Sequence, residues 1–171
     1  GERYRDWRVE LMPLTKDKYF ELIDSNSDYP HFRCALGAYI PGSLYKYFSI
    51  PDDSDEARKR FEQLKSGEIW FSKRSGLNDP FEFEHIALKG AQNDARQYYL
   101  NKQQELEVCC FSALLYNKLM WSHYAAGYKG YCVEFRVESP ERFYPVIYEN
   151  EVPDLSQECH VQTRVVPYIV L

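Results

Sequence analysis

Residues 44–72 read LYKYFSIPDDSDEARKRFEQLKSGEIWFS. Their pattern changes period twice, which decides the fold class. Leu44 to Ser49 mixes aromatic and polar residues in short alternation, as a strand does. Pro51 and the acids behind it then suit the positive end of a helix dipole. Phe61 and Leu64 supply an apolar stripe, and Gly67 is placed to close the helix. EIWFS, residues 68–72, resumes strand character. Strand, helix and strand therefore follow one another within about thirty residues.

Outward from this stretch, Thr15 is set to N-cap a short helix that the Ser25-Asn26-Ser27-Asp28 cluster ends. RSGLNDP, residues 74–80, is a loop, and FEFEHIAL, 81–88, alternates like a further strand. Residues 91–107 are polar and compatible with a helix. VCCFSAL, 108–114, is a short apolar strand candidate. Residues 116–126 read as a helix ended by Gly127, YCVEFRV alternates as a strand, and FYPVIYE is a further strand broken by Pro145. RVVPYIVL belongs at a sheet edge because of its proline. Without a strict βαβ rhythm, the expectation is an α+β fold: a mainly antiparallel mixed sheet with flanking helices. One domain over 1–171 is expected, with 1–40 a helical appendage, 41–150 the core and 151–171 a C-terminal extension.

Charge and composition narrow the function classes. A net charge of −5 disfavours binding duplex nucleic acid through its phosphates, although residues 46–74 are locally basic. No run reaches the roughly 18 apolar residues that span a bilayer. Five cysteines without a CxxC pair fit a reducing cytoplasm and supply no zinc-ligand spacing. Fifteen tyrosines and ten phenylalanines suit either an aromatic core or a cleft that stacks a planar ligand. Phosphate loops, HExxH and GxSxG are all absent, against P-loop, zincin and α/β-hydrolase chemistry.

Three segments carry candidate chemistry. Leu77-Asn78-Asp79-Pro80-Phe81-Glu82 has turn composition and also groups Asp79 with Glu82, carboxylates able to divide acid and base roles. Met120-Trp121-Ser122-His123-Tyr124-Ala125 places Trp121 and Tyr124 on an apolar helix face with His123 at its edge. Histidine is the side chain whose ordinary pKa suits proton transfer near neutrality. Cys110-Phe111-Ser112 and Gly130 to Phe135 form the third. If YCVEF is a strand, Glu134 shares a face with Cys132 and is at least half shielded, so it needs a partner. Lys46 or Arg136 could pair with it, or it could hold a sugar hydroxyl.

The ordered blocks LYKYFS, LNDPFE, CCFSALL and MWSHYAAGYKGYCVEF resemble the bacterial domain-of-unknown-function family 2971, over about Leu44 to Phe135. That resemblance implies, more distantly, the ADP-ribosyltransferase plan. On this plan Tyr45 or Lys46 stands on the early strand, Trp70 and Ser72 on the next, and Glu134 on the late one. The function it implies is an enzyme acting on a nucleotide-like ligand, with NAD as substrate. Glu134 would hold the ribose and stabilise its positive charge. Trp70 or Tyr47 would stack nicotinamide, Asn78 would orient its amide, and His123 with Asp79 would bind phosphate or move a proton. Ser112 lies in the same set. Two alternatives remain: a non-enzymatic recognition module of a defence or regulatory system with a protein partner, and a nuclease holding Mg²⁺ through Asp79, Glu82 and Glu134.

Overall fold

The computed structural model describes residues 13–73 and 107–147. Asn78, Asp79 and Glu82, the FEFEHIAL strand, most of the polar 91–107 segment and the tail lie outside the described residues.

Helix α1 spans Lys16–Ser25 and begins as its sequence requires, with the Thr15 side chain accepting from Lys18 N–H at 3.3 Å. Tyr19 and Ile23, four apart, form its buried stripe. The cluster at 25–28 does stop α1, but it also starts a second helix that the sequence reading left out. In α2, Tyr29–Gly37, Asp28 is the N-cap and accepts from His31 N–H at 2.9 Å, with Pro30 in the first turn. Phe32, Arg33 and Leu36 face inward from α2. Leu14, Tyr19, Ile23, Phe32, Leu36 and Ile147 form the buried cluster. The helical pair thus shares its core with Ile147, far along the chain.

Strand β1, Ser43–Phe48, pairs antiparallel with Tyr131–Arg136, which is β4 in the numbering used here. Between them lie α3 (Ser54–Lys65), the two-residue strands β2 (Ser72–Lys73) and β3 (Glu107–Val108), and α4 (Lys118–Tyr124). β2 and β3 pair with each other in a separate sheet. The α+β class holds among the described residues, as two small antiparallel sheets rather than one larger one.

Three expectations need correction. EIWFS pairs only through Ser72. In VCCFSAL only the first residue lies in a regular strand, and Ser112 adds an isolated bridge to Tyr45. FYPVIYE is preceded by a 3-10 turn at Pro140–Arg142 and forms no regular strand from Phe143 to Ile147; the carbonyl of its first residue is taken by a side chain. Arg33 Nη2 donates to the carbonyls of Glu141 and Phe143, and its guanidinium lies 3.4 Å from the Tyr144 ring centre.

Helix α3 depends on local terms more than on burial. Asp53 caps it, and Asp55–Arg58, Glu56–Arg60 and Glu62–Lys65 are ion pairs along its surface. None of its residues is buried, so the Phe61–Leu64 stripe is only a partial seat. Phe61 instead stacks on Tyr131 at 4.9 Å, and Tyr131 stacks on Phe48 at 5.1 Å. The same ion pairs engage three of the cations that make residues 46–74 basic.

Burial of Tyr19 raises its phenol from 10.0 to about 12, and burial raises the Tyr144 phenol as well. A pKa raised on folding contributes stability that is complete below the unfolded value near 10 and is lost as pH climbs through the folded one. Thermal midpoints should therefore hold from pH 7 to about 9.5 and fall between pH 10 and 12. Tyr19→Phe should flatten that fall, measured by circular dichroism melts across the range. An unchanged slope would dissociate the effect from Tyr19.

Candidate functional site on the open face of β1 and β4

Alternation and register sort the candidates onto two faces. Tyr45 stands opposite Glu134 and Tyr47 opposite Cys132, so these four share one face. Lys46 stands opposite Val133 and shares the other face with Leu44, Phe48, Tyr131 and Phe135. Ser112 exchanges both backbone hydrogen bonds with Tyr45, at 2.8 and 2.7 Å, which sets it directly beside Tyr45 on the Glu134 face. Ser112, Tyr45 and Glu134 form a row across three chain segments.

Within that row Tyr45 Oη donates to Glu134 Oε1 at 3.3 Å. Partial desolvation, and then the neighbouring Glu134 carboxylate, hold the Tyr45 phenol above its ordinary value of 10.0. The hydroxyl therefore keeps its proton, and its capacity to donate, throughout the neutral range. Glu134 is exposed rather than half shielded, because its end of this face opens to solvent while the Tyr47 end is covered by Trp121. Its partner is the hydroxyl of Tyr45, whereas Lys46 is carried to the opposite face. There Lys46 Nζ donates to the Cys110 carbonyl at 3.1 Å and lies 5.6 Å from the Phe111 ring centre.

Tyr47 and Trp121 fasten the site instead of lining it. Tyr47 is 6 % exposed, and its hydroxyl is shared between the carbonyls of Leu114 and Leu115, at 2.6 and 2.7 Å. Its ring meets Trp121 edge-on at 5.2 Å, and Trp121 Nε1 donates to the Leu115 carbonyl at 3.0 Å. Two side chains from different elements thereby pin residues 112–117 against β1. Ser112 Oγ adds a local turn bond, accepting from Leu114 N–H at 3.1 Å.

Tyr116 was missed by the sequence reading, which placed it inside a helix. Asn117 is the N-cap of α4 and accepts from Leu119 and Met120 N–H, so Tyr116 lies just outside. An Asn before an apolar-periodic run was the signal that could have found this boundary. Tyr116 is 78 % exposed on the pinned segment.

The helix also ends at Tyr124, before Gly127. Ala126, Gly127 and Tyr128 all take positive φ, at 48°, 62° and 69°. This left-handed turn strains Ala126 and Tyr128. It is held by Tyr128 Oη donating to the Lys118 carbonyl at 3.1 Å, and by stacking of Tyr128 on Trp121 at 6.5 Å.

The other candidates are dispersed. His123 and Tyr124 are exposed at the end of α4. Trp70 is 78 % exposed just before β2, and Ser72 lies in β2 opposite Val108, in the second sheet. Burial pushes the Cys109 thiol up, so it is not primed as a nucleophile. Among the described residues there is no group of three His, Cys, Asp or Glu able to hold a metal ion, and no helix is long and apolar enough to cross a membrane. Comparison with known proteins finds no family model, no curated protein and no solved structure that matches the chain.

Proposed function

We propose that the open face of β1 and β4 binds the ribose of a nucleotide-like ligand, with NAD the first candidate. The observation that carries this is the Tyr45–Glu134 pair, an exposed carboxylate beside a protonated hydroxyl. A vicinal diol needs an acceptor for its protons and a donor for its oxygens within one short span; Glu134 supplies the acceptor, and Tyr45 the donor when its proton turns from Glu134 to the ligand.

The chemistry favoured by such a pair on NAD is cleavage at the glycosidic carbon. The bond from ribose C1′ to the pyridinium nitrogen breaks, its electron pair neutralises the leaving nicotinamide, and positive charge develops on the ribose. Glu134, hydrogen-bonded to a ribose hydroxyl, stabilises that charge, and an acceptor hydroxyl adds at C1′ while its proton passes to water. This agrees with the ADP-ribosyltransferase-like resemblance in its late-strand glutamate. It departs from that plan at the early strand, where Tyr45 and not Lys46 faces the glutamate. The family 2971 resemblance and a bacterial cytoplasmic setting belong to the same reading.

A thermal-shift panel of NAD, ADP-ribose, other nucleotides, Mg²⁺ and Mn²⁺ tests it. NAD at 100 times its dissociation constant should stabilise by about 2.7 kcal/mol. Glu134→Gln should cut that shift to about 1.4 kcal/mol or less at the same NAD concentration while keeping its own midpoint, since an exposed substitution costs within about 0.5 kcal/mol. An NAD shift of undiminished size in Glu134→Gln would refute the assignment, and a shift with the divalent metals alone would favour the nuclease reading.

One observation favours the non-enzymatic alternative. Leu114, Leu119 and Tyr128 are 55 %, 63 % and 59 % exposed around α4, an apolar surface of the kind protein partners cover. A flat profile across the whole panel would favour that recognition role.

A further inference from the structure

We infer that Tyr116 is the platform on which the planar base or pyridinium ring of the nucleotide stacks, an inference that rests on the ribose reading of Tyr45 and Glu134. It adds the ligand class. The site would select base-bearing ribosides over bare sugar phosphates.

The backbone that carries Tyr116 is held on both sides. Before it, the carbonyls of Leu114 and Leu115 take the Tyr47 hydroxyl, and Leu115 takes the Trp121 indole as well. After it, Asn117 caps α4 with two hydrogen bonds. The ring itself is 78 % exposed. A bare ring on a fixed backbone loses little freedom on stacking, because tyrosine has only two side-chain torsions to order.

Position supports the same role. Ser112 is bonded directly to Tyr45, and Tyr116 follows four residues later on the segment pinned to that strand.

The neighbouring rings are already engaged. Tyr47 is buried against Trp121, and Trp121 is stacked with Tyr128. Phe48 and Tyr131 stack with Phe61 on the opposite face. Stacking accepts any planar ring, so adenine and nicotinamide should both be recognised, and pure ribose phosphate should not profit.

Calorimetric titrations of the whole chain with ribose 5-phosphate, AMP and nicotinamide mononucleotide test the inference. The two ring-bearing ligands should bind about 10- to 100-fold tighter than ribose 5-phosphate. Tyr116→Ala should erase that preference without lowering the melting midpoint, and Tyr116→Phe should keep it. Equal affinities in the wild type, or an undiminished preference in Tyr116→Ala, would overturn the inference. So would a lowered midpoint with unchanged binding, since the ring would then be packed against the protein. Glu134→Gln should weaken all three ligands by a common factor, ribose 5-phosphate included. That result beside an unaltered Tyr116→Ala would leave the ribose reading standing and this inference refuted. Failure of the wild type to bind any of the three would overturn both.

Discussion

Gly130→Ala should lower the thermal midpoint by roughly 6–12 °C, the equivalent of about 3 kcal/mol in a chain of this size. A β-carbon built on Gly130 would sit 2.0 Å from the Phe48 carbonyl oxygen and 2.9 Å from the Ala125 Cα. Both obstacles are backbone, so no rotamer change relieves them. Ala125 is fully buried, and its carbonyl accepts from both Lys129 and Gly130 N–H, at 2.9 and 2.8 Å. Gly130 is therefore the point where the end of α4, the end of β1 and the start of β4 converge. Relieving the overlap must displace β4 from β1, and with it the residue opposite Tyr45. The substitution should weaken nucleotide binding as well as stability, measured by differential scanning calorimetry and titration on the same sample. A midpoint within 2 °C of wild type would show that the close approach is wrong.

Arg33→Ala should cost about 3–5 kcal/mol, read as a lower denaturation midpoint in urea. Arg33 is 7 % exposed and joins α2 to the chain after β4. Removing it leaves the Glu141 and Phe143 carbonyls without this donor, each loss worth about 1–3 kcal/mol where water cannot enter. It also withdraws the cation from the Tyr144 ring and the aliphatic stem from the helical core. One opposing contribution is present, since Arg33 Nη1 is buried without a hydrogen-bond partner among the described residues and its desolvation burdens the native state. Arg33→Lys should recover only part of the loss, because an ammonium cannot lie flat on a ring while donating to two carbonyls. A cost below about 1 kcal/mol for Arg33→Ala would mean that the segment docks through apolar contacts alone.

Local signals made some elements legible. Thr15 as a cap, Pro51 and Asp53 before α3, and alternation in β1 and β4 each rest on interactions within a few residues, which a sequence carries openly. The cluster at 25–28 misled because one Asx-rich stretch can end a helix and begin another, and Asp28 does the second while Asn26 does the first. FYPVIYE misled for a tertiary reason. The carbonyl of its first residue, Phe143, and that of Glu141 just before it accept from Arg33, more than one hundred residues away, and no local pattern records that.

The site divides the same way. Alternation alone requires Tyr45 and Lys46 to face opposite sides of β1, so only one of them could meet Glu134. Which one does so depends on register between strands 89 residues apart, and register is set by the assembled sheet. The exposure of Glu134 followed from the open side of that sheet, which its flanking Val133 and Phe135 could not disclose. Tyr47 and Trp121 were identified as aromatics of interest, but their hydroxyl and indole are spent on carbonyls of the loop that presents Tyr116.

On the proposed reading Glu134, paired with Tyr45, holds a nucleotide ribose. Isothermal titration of NAD into the wild-type chain and into Glu134→Gln, at neutral pH and equal ionic strength, tests it most directly. At least a tenfold rise in the dissociation constant, in a variant with an unchanged melting midpoint, is the predicted result, corresponding to about 1.4 kcal/mol. Equal dissociation constants in the two folded proteins, or no heat of binding in the wild type, would contradict it.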